Sequence, residues 1–261
     1  MGSQAIQGKL WGQRSKDWAN IQEDTGSAGY VYVLNYLKPK PGDNLLDVGC
    51  GTGIFSSMAQ KSGAIVTGID ASEALIALAA ERSNAVTFLT GEMEELPFAN
   101  NAFDVVCGFN SFQYAASTPN ALAEAYRVLK QGGKLAAMIW GNKEDCEAAT
   151  YLKAIGSLLP PPPPGAPGPF ALSKNHLLES TLQQAGFKII NNVDIDTVWD
   201  YPDKDIALKG LLSVGPAARA IDNSGFQKVY DTILDAVQPY VQSNGHVVYK
   251  NKFRIVVAEK E

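Results

Sequence analysis

The sequence predicts an α/β chain built on a doubly wound, mostly parallel sheet. Leu45 to Gly53 reads LLDVGCGTG, an apolar strand running straight into a glycine-rich turn, and Ile69-Asp70 ends a second strand on an acid. Strand-like and helix-like segments then alternate through the first half of the chain, the pattern that places helices on both faces of a parallel sheet. The glycines are spaced Gly49-x-Gly51-x-Gly53, closer than the Gly-x-Gly-x-x-Gly of nicotinamide-dinucleotide sites.

Asn44–Val48 is the expected first strand, and Ile54–Lys61 a helix closed by Gly63. Ala64–Ile69 follows as the second strand, and Ser72 is placed to cap a helix over Glu73–Arg82. Val86–Leu89 reads as a third strand, and Phe103–Gly108 as a fourth, apolar on both faces as the middle of a parallel sheet requires. A helix over Pro119–Leu129, a turn at Gly132-Gly133 and a fifth strand at Lys134–Trp140 complete this half. Leu158–Pro169 is too rich in proline for helix or central strand. It reads as a stiff connector, or as one wall of a pocket. Ser173 can cap a helix to Ala185, Lys188–Val198 reads as an outer strand, and Ile206–Val241 as two or three helices. Phe253–Ala258 is the last strand. These make seven strands with a helical insertion before the last.

A net charge of −5, with no Lys/Arg cluster, argues against an extended phosphate-binding surface, so no nucleic-acid partner is expected. The three cysteines form no Cys-x-x-Cys, and His176 and His246 are far apart, so neither a disulfide framework nor a metal site is expected. Cys50 reads as a small filler inside the turn. No apolar run reaches membrane-span length, and the chain is expected in the cytoplasm, as a monomer or homodimer.

Four signatures stand in order: LLDVGCGTG, GIDAS at Gly68–Ser72, GEMEELPFANNAFDVV at Gly91–Val106 and RVLKQGGKL at Arg127–Leu135. Together they resemble the class I S-adenosylmethionine-dependent methyltransferases of small-molecule type, in particular the menaquinone/ubiquinone C-methyltransferase group. The likeness is good from Lys40 to Trp140 and loose at the termini. It implies a Rossmann-like seven-stranded sheet with an antiparallel last strand and a helical cap. The implied layout is a lid over 1–38, a cofactor core over 39–140 and a connector with helix and outer strand over 141–200. A cap insertion over 201–246 and the last strand over 247–261 complete it.

S-adenosylmethionine has no pyrophosphate, so its turn need only let backbone pass close to the ligand, which Gly49, Gly51 and Gly53 allow. Asp70 ends its strand where a carboxylate can hold a ribose diol, with Ala71 beside it. The resemblance implies that Glu92 and Met93 sit over adenine, that Asp47 faces the ammonium of the methionine part, and that Cys50 borders the turn. It also sets Phe109 to Phe112, with Asn110 among them, beside the sulfonium. The alternative reading of Glu92 is part of a solvated acidic loop, and Asp104 reads as a strand-starting residue.

Methyl transfer requires no obligatory catalytic motif, because the sulfonium supplies the electrophile and the protein positions the acceptor. Trp11, Arg14, Trp18, Tyr30 and Phe112 are candidates for lining an acceptor pocket, or alternatively for packing an N-terminal helix pair. Tyr30 is the weak candidate for a base, while His176 and His246 read as structural. Two other readings stay open: a short-chain oxidoreductase, whose Tyr-x-x-x-Lys pair is spelled by Tyr126 and Lys130, and a non-catalytic binding protein on the same scaffold.

Overall fold

The computed structural model describes residues 2–160 and 168–261. Its strands are β1 (Asn44–Val48), β2 (Ile65–Asp70), β3 (Thr87–Thr90), β4 (Phe103–Phe109), β5 (Leu129–Trp140), β6 (Phe187–Tyr201) and β7 (Val247–Lys260). They form one sheet in the order β3-β2-β1-β4-β5-β7-β6. β1 to β5 run parallel, whereas β7 is antiparallel to both β5 and β6. The strand order reverses between β1 and β4, so a crevice opens where their carboxyl ends part, the usual ligand position in such sheets.

Before β1 come α1 (Gln4–Gly12), the single turn α2 (Ser15–Asp17) and α3 (Ser27–Leu37). The crossovers are α4 (Ile54–Gln60), α5 (Glu73–Arg82) and α6 (Thr118–Val128). α7 (Ala149–Gly156) and α8 (Leu177–Gln184) precede β6, and α9 (Lys204–Leu212), α10 (Gly215–Ser224) and α11 (Phe226–Val237) form the cap between β6 and β7. Ser72 accepts from Leu75 N to cap α5, and Asp203 accepts from Ile206 N to cap α9, each satisfying a first-turn donor.

Alternate residues of the central strands feed two cores. Leu45, Val105, Cys107, Ala136 and Met138 face one, and Leu46, Val48, Val106, Leu135 and Ala137 face the other. Leu45, Leu46 and Val48 are fully buried, each contributing about 2 kcal/mol by leaving water. The cap joins the first core through Leu208, Leu211, Val229 and Ile233. The N-terminal segment lies across the carboxyl ends of the strands. There α1 comes so close to the loop after β2 that a Cβ on Gly8 would sit 2.2 Å from the Ala71 carbonyl oxygen.

Several boundaries differ from the sequence expectation. Gly132-Gly133 does not end a segment. It lies within β5 as an irregularity, Gly132 at φ +73°, where the register jumps from Phe103↔Leu129 to Val105↔Lys134. Ser173 does not cap a helix. Its hydroxyl donates to Phe170 O, and left-handed Asn175 and His176 delay α8 to Leu177. β6 and β7 extend well past the expected 188–198 and 253–258, because each satisfies the other's backbone along most of its length. The centre of the proline-rich segment, 161–167, lies outside the described residues, so the readings of 158–169 as connector or pocket wall stay with the sequence.

Arg254 on β7 fastens this antiparallel strand pair to the connector. It donates from Nε and Nη2 to the two carboxylate oxygens of Asp194, its cross-strand partner, at 2.8 and 2.9 Å, and from Nη1 to Ser173 O at 2.9 Å. Arg254 is buried, so Arg254→Met strands a carboxylate and is expected to cost roughly 3 kcal/mol in urea unfolding. Arg254→Met with Asp194→Leu should recover most of that loss; an unchanged midpoint in the single variant would contradict the assignment.

Candidate active site

A cavity with about 680 Å³ of space between its walls and its open mouth lies above the carboxyl ends of β1, β2 and β4. Its floor is Gly49 and Gly51, with Asp70 and Ala71 on one side and Phe109, Asn110 and Ser111 on the other. Glu92 and Met93 form the far wall, and Ser3, Gln7, Trp11 and Trp18 close it from the N-terminal segment. Gly49, Gly51 and Gly53 all take positive φ, 73°, 56° and 74°, which turns the chain directly from β1 into α4. Gly51 has a second constraint: a Cβ there would lie 2.9 Å from the Glu23 carboxylate.

Asp70 is tied at both oxygens. Oδ2 accepts from Gly51 N at 3.0 Å and Oδ1 from Ser72 N at 2.8 Å, so the carboxylate is aimed before any ligand arrives. Burial nonetheless pushes its pKa upward against those two amides. Glu92 accepts from Gln4 N at 2.7 Å, Ser3 Oγ at 3.3 Å and Glu94 N at 3.1 Å. This is an acid at a helix N-terminus, and it joins the cavity wall to the lid.

A smaller cleft adjoins the turn, lined by Trp18, Glu23, Tyr30, Asp47, Cys50 and Phe55 among others. Asp47 accepts from Ser56 Oγ at 2.6 Å. Burial raises its pKa from 3.8 to about 7, Ser56 opposing and the charges of Glu23 and Asp70 adding to the rise. Glu23 is 3% exposed, yet accepts from Thr52 N at 2.8 Å, from Thr52 Oγ1, and from Arg82 Nη1 at 2.7 Å. Three charge-assisted bonds compensate its burial.

Ten of the sequence-predicted residues therefore line one cavity: Trp11, Trp18, Gly49, Gly51, Asp70, Ala71, Glu92, Met93, Phe109 and Asn110. Asp47, Cys50 and Tyr30 line the adjoining cleft instead. Gly53 caps α4 against Phe88, and Phe112, 1% exposed, packs in the second core. Arg14 turns away, near Asp17 and over the Phe226 ring at 5.1 Å. Burial pushes the Tyr30 phenol well up, and its hydroxyl faces the Glu23 carbonyl, so Tyr30 keeps its proton and cannot serve as a base near neutrality. Ser111, within the expected stretch Phe109 to Phe112, lines the cavity as well. Glu23, Ser3, Gln7, Ser56 and Tyr114 were not expected here, and all five lie outside the recognised motifs.

The Tyr126 and Lys130 pair works elsewhere. Lys130 Nζ donates to Asp104 at 2.7 and 2.8 Å, Asp104 accepts from Asn44 N at the start of β1, and Tyr126 donates to Glu261 O. An oxidoreductase pair would face the cofactor, so that reading is set aside. His246 lies 2.6 Å from Asp200 and His176 3.2 Å from Glu179, neither on the cavity.

Among the described residues, three buried polar atoms on the cavity residues have no hydrogen-bond partner: Trp18 Nε1, Asn110 Oδ1 and Ser111 Oγ. Buried groups of this kind are normally paired. With the glycine floor and the pre-aimed Asp70 they fit a nucleoside bearing an amino-acid arm, such as S-adenosylmethionine.

Residues 46–137 match the family model described as a methyltransferase domain. The malonyl-[acyl-carrier protein] O-methyltransferase of Erwinia pyrifoliae is 31% identical over 199 residues, 76% of this chain and 70% of that protein. The ubiquinone/menaquinone biosynthesis C-methyltransferase UbiE of Cereibacter sphaeroides is 37% identical over 111 residues, 40% of this chain and 44% of that protein. In two further curated relatives the match spans less than half of their length, 44% and 46%. Among solved structures, a phosphoethanolamine N-methyltransferase of Haemonchus contortus, in complex with phosphomonomethylethanolamine and S-adenosylhomocysteine, shares the fold. Its TM-score is 0.57 at 21% identity, covering 89% of this chain and 52% of that one. With this sheet, this cavity and these relatives, the chain belongs to the S-adenosylmethionine-dependent methyltransferase family.

Proposed function

We propose that the protein transfers a methyl group from S-adenosylmethionine to a small, largely apolar acceptor. The observation that carries this reading is the aromatic wall facing the glycine floor. Trp11 stands edge-on to Trp18 at 4.9 Å and to Tyr114 at 5.2 Å. Aromatic faces attract a cation such as a sulfonium and exclude the water that would compete with an acceptor. When bound, the cofactor supplies an electrophilic methyl. The chain's own part is to hold the ribose through Asp70, keep the amino-acid arm near Asp47 and Glu23, and orient the acceptor for in-line attack.

Among the described residues lining the cavity none is free to act as a dedicated base, Asp70 being held by two backbone amides. Burial holds the Tyr114 proton, and Glu92 is engaged by the lid. This favours an acceptor that is nucleophilic without deprotonation by the protein, whether at oxygen, nitrogen or carbon. The relatives named for a malonyl carrier-protein O-methyltransferase and a quinone C-methyltransferase differ in acceptor while sharing the matched core. That contrast supports assigning acceptor choice to the lid and cap rather than to the glycine turn.

Asp70→Ala is expected to weaken S-adenosylhomocysteine binding at least tenfold, about 1.4 kcal/mol, in calorimetric titration; unchanged affinity would remove the assigned site. Asp47 gives a pH test. A bound ammonium favours its carboxylate, so cofactor affinity should fall as pH drops below about 7, and Asp47→Asn should flatten that dependence. Its folded pKa lies above the unfolded 3.8. Its contribution to stability is therefore present below 3.8 and is lost as pH rises through about 7. The ligand-free Asp47→Asn protein should accordingly gain more in Tm at about pH 8 than at about pH 5. Equal gains at both would show that Asp47 ionises normally.

A further inference from the structure

A second, more open cavity, with about 950 Å³ of space including its mouth, lies against the first, and Gln7 and Tyr114 line both. One side of it is apolar: Leu10 of α1, Leu152 and Ile155 of α7, and Pro216 at the start of α10. Two groups on it are polar and unused. Both amide atoms of Gln113 are buried with no hydrogen-bond partner of ordinary geometry among the described residues, although the amide lies beside the Tyr114 hydroxyl. Arg219 is exposed on α10 and has no carboxylate within salt-bridge distance among the described residues. The nearest acid on its helix face, Asp222 one turn on, is engaged by Lys9 at 3.1 Å and Gln13 at 3.3 Å. Residues 161–167 are prolines, glycine and alanine and carry no acid that could neutralise it.

We infer that this second cavity seats the acceptor and that Arg219, with the Gln113 amide, recognises an anionic group on an otherwise apolar molecule. The inference rests on the methyltransferase reading for the word acceptor, but the cavity and its charge stand without it. An unpaired guanidinium beside an aliphatic wall matches an amphiphile, the wall taking the chain and the fork of donors taking a carboxylate or phosphate. The Gln113 N–H offers the anion a second donor, and its carbonyl oxygen can accept from a neighbouring hydroxyl. Arg219 lines the second cavity and not the first. The charge it holds therefore lies away from the sulfonium, which makes it a handle for orientation and not the atom methylated. Arg219 is thus a specificity residue that sets which small molecules place their nucleophile past Gln7 and Tyr114.

The test is calorimetric titration of the protein, with and without saturating S-adenosylhomocysteine, using octanoate, octyl phosphate and octanol. Both anions are expected to bind about tenfold more tightly than octanol, the gain of one charge-assisted pair. Arg219→Gln should erase that preference while leaving octanol and S-adenosylhomocysteine affinities unchanged. Leu152→Trp, which fills the wall, should weaken all three probes with cofactor affinity retained. The ratio of octanoate to octyl phosphate tells a carboxylate handle from a phosphate one. The inference is overturned if octanol binds as well as the anions, if none of the three binds, or if Arg219→Gln keeps the preference. Failure to bind S-adenosylhomocysteine would instead strike the cofactor reading, and the cofactor-free titrations would still decide the anion preference.

Discussion

The site depends on one buried carboxylate. Glu23 belongs to the N-terminal segment, yet it accepts from Thr52 in the glycine turn and from Arg82 at the end of α5. A charge that is 3% exposed persists only when its hydrogen bonds are supplied, and here the donors come from the two elements that bound the cofactor cavity. Gly51 has to lack a side chain partly because that carboxylate occupies the space. Glu92 repeats the arrangement on the other side, accepting from the first turn of α1. Two acids from opposite directions thus hold the lid onto the sheet and leave Ser3, Gln7, Trp11 and Trp18 facing inward.

This closure gathers Glu23, Asp47 and Asp70 around one turn, where Glu23 makes ionisation of both aspartates costlier and Asp70 adds to the cost at Asp47. The expense falls on the empty protein. A ligand with a cationic amino group relieves it, so cofactor binding and the stability of the lid are thermodynamically linked. The half-buried aromatic wall and the unpaired polar atoms of Trp18, Asn110 and Ser111 follow the same logic, since each is better satisfied with a ligand present.

What could be read from the sequence was local. The turn of LLDVGCGTG needs positive φ at three glycines, and Asp70 must end β2, so strand, turn and acid were legible from spacing. α5 was legible for the same reason, with Ser72 as its cap. Glu23 was not, because its partners lie 29 and 59 positions away and nothing around it marks a buried acid. Arg14 looked like a pocket residue beside two tryptophans, but it faces Phe226 of the cap, a contact that exists only after the chain has folded. The full length of β6 was hidden too: its asparagines and aspartates suit a strand poorly, and the pairing with β7 overrides that preference.

The glycine turn and the N-terminal segment together form the proposed cofactor site. Amide hydrogen exchange with and without S-adenosylhomocysteine tests it most directly, because exchange reports local opening segment by segment. The account expects slower exchange on binding both across 44–53 and across 3–37, the lid responding as strongly as the turn. Protection confined to the sheet, with 3–37 exchanging at the same rate in both states, would contradict it.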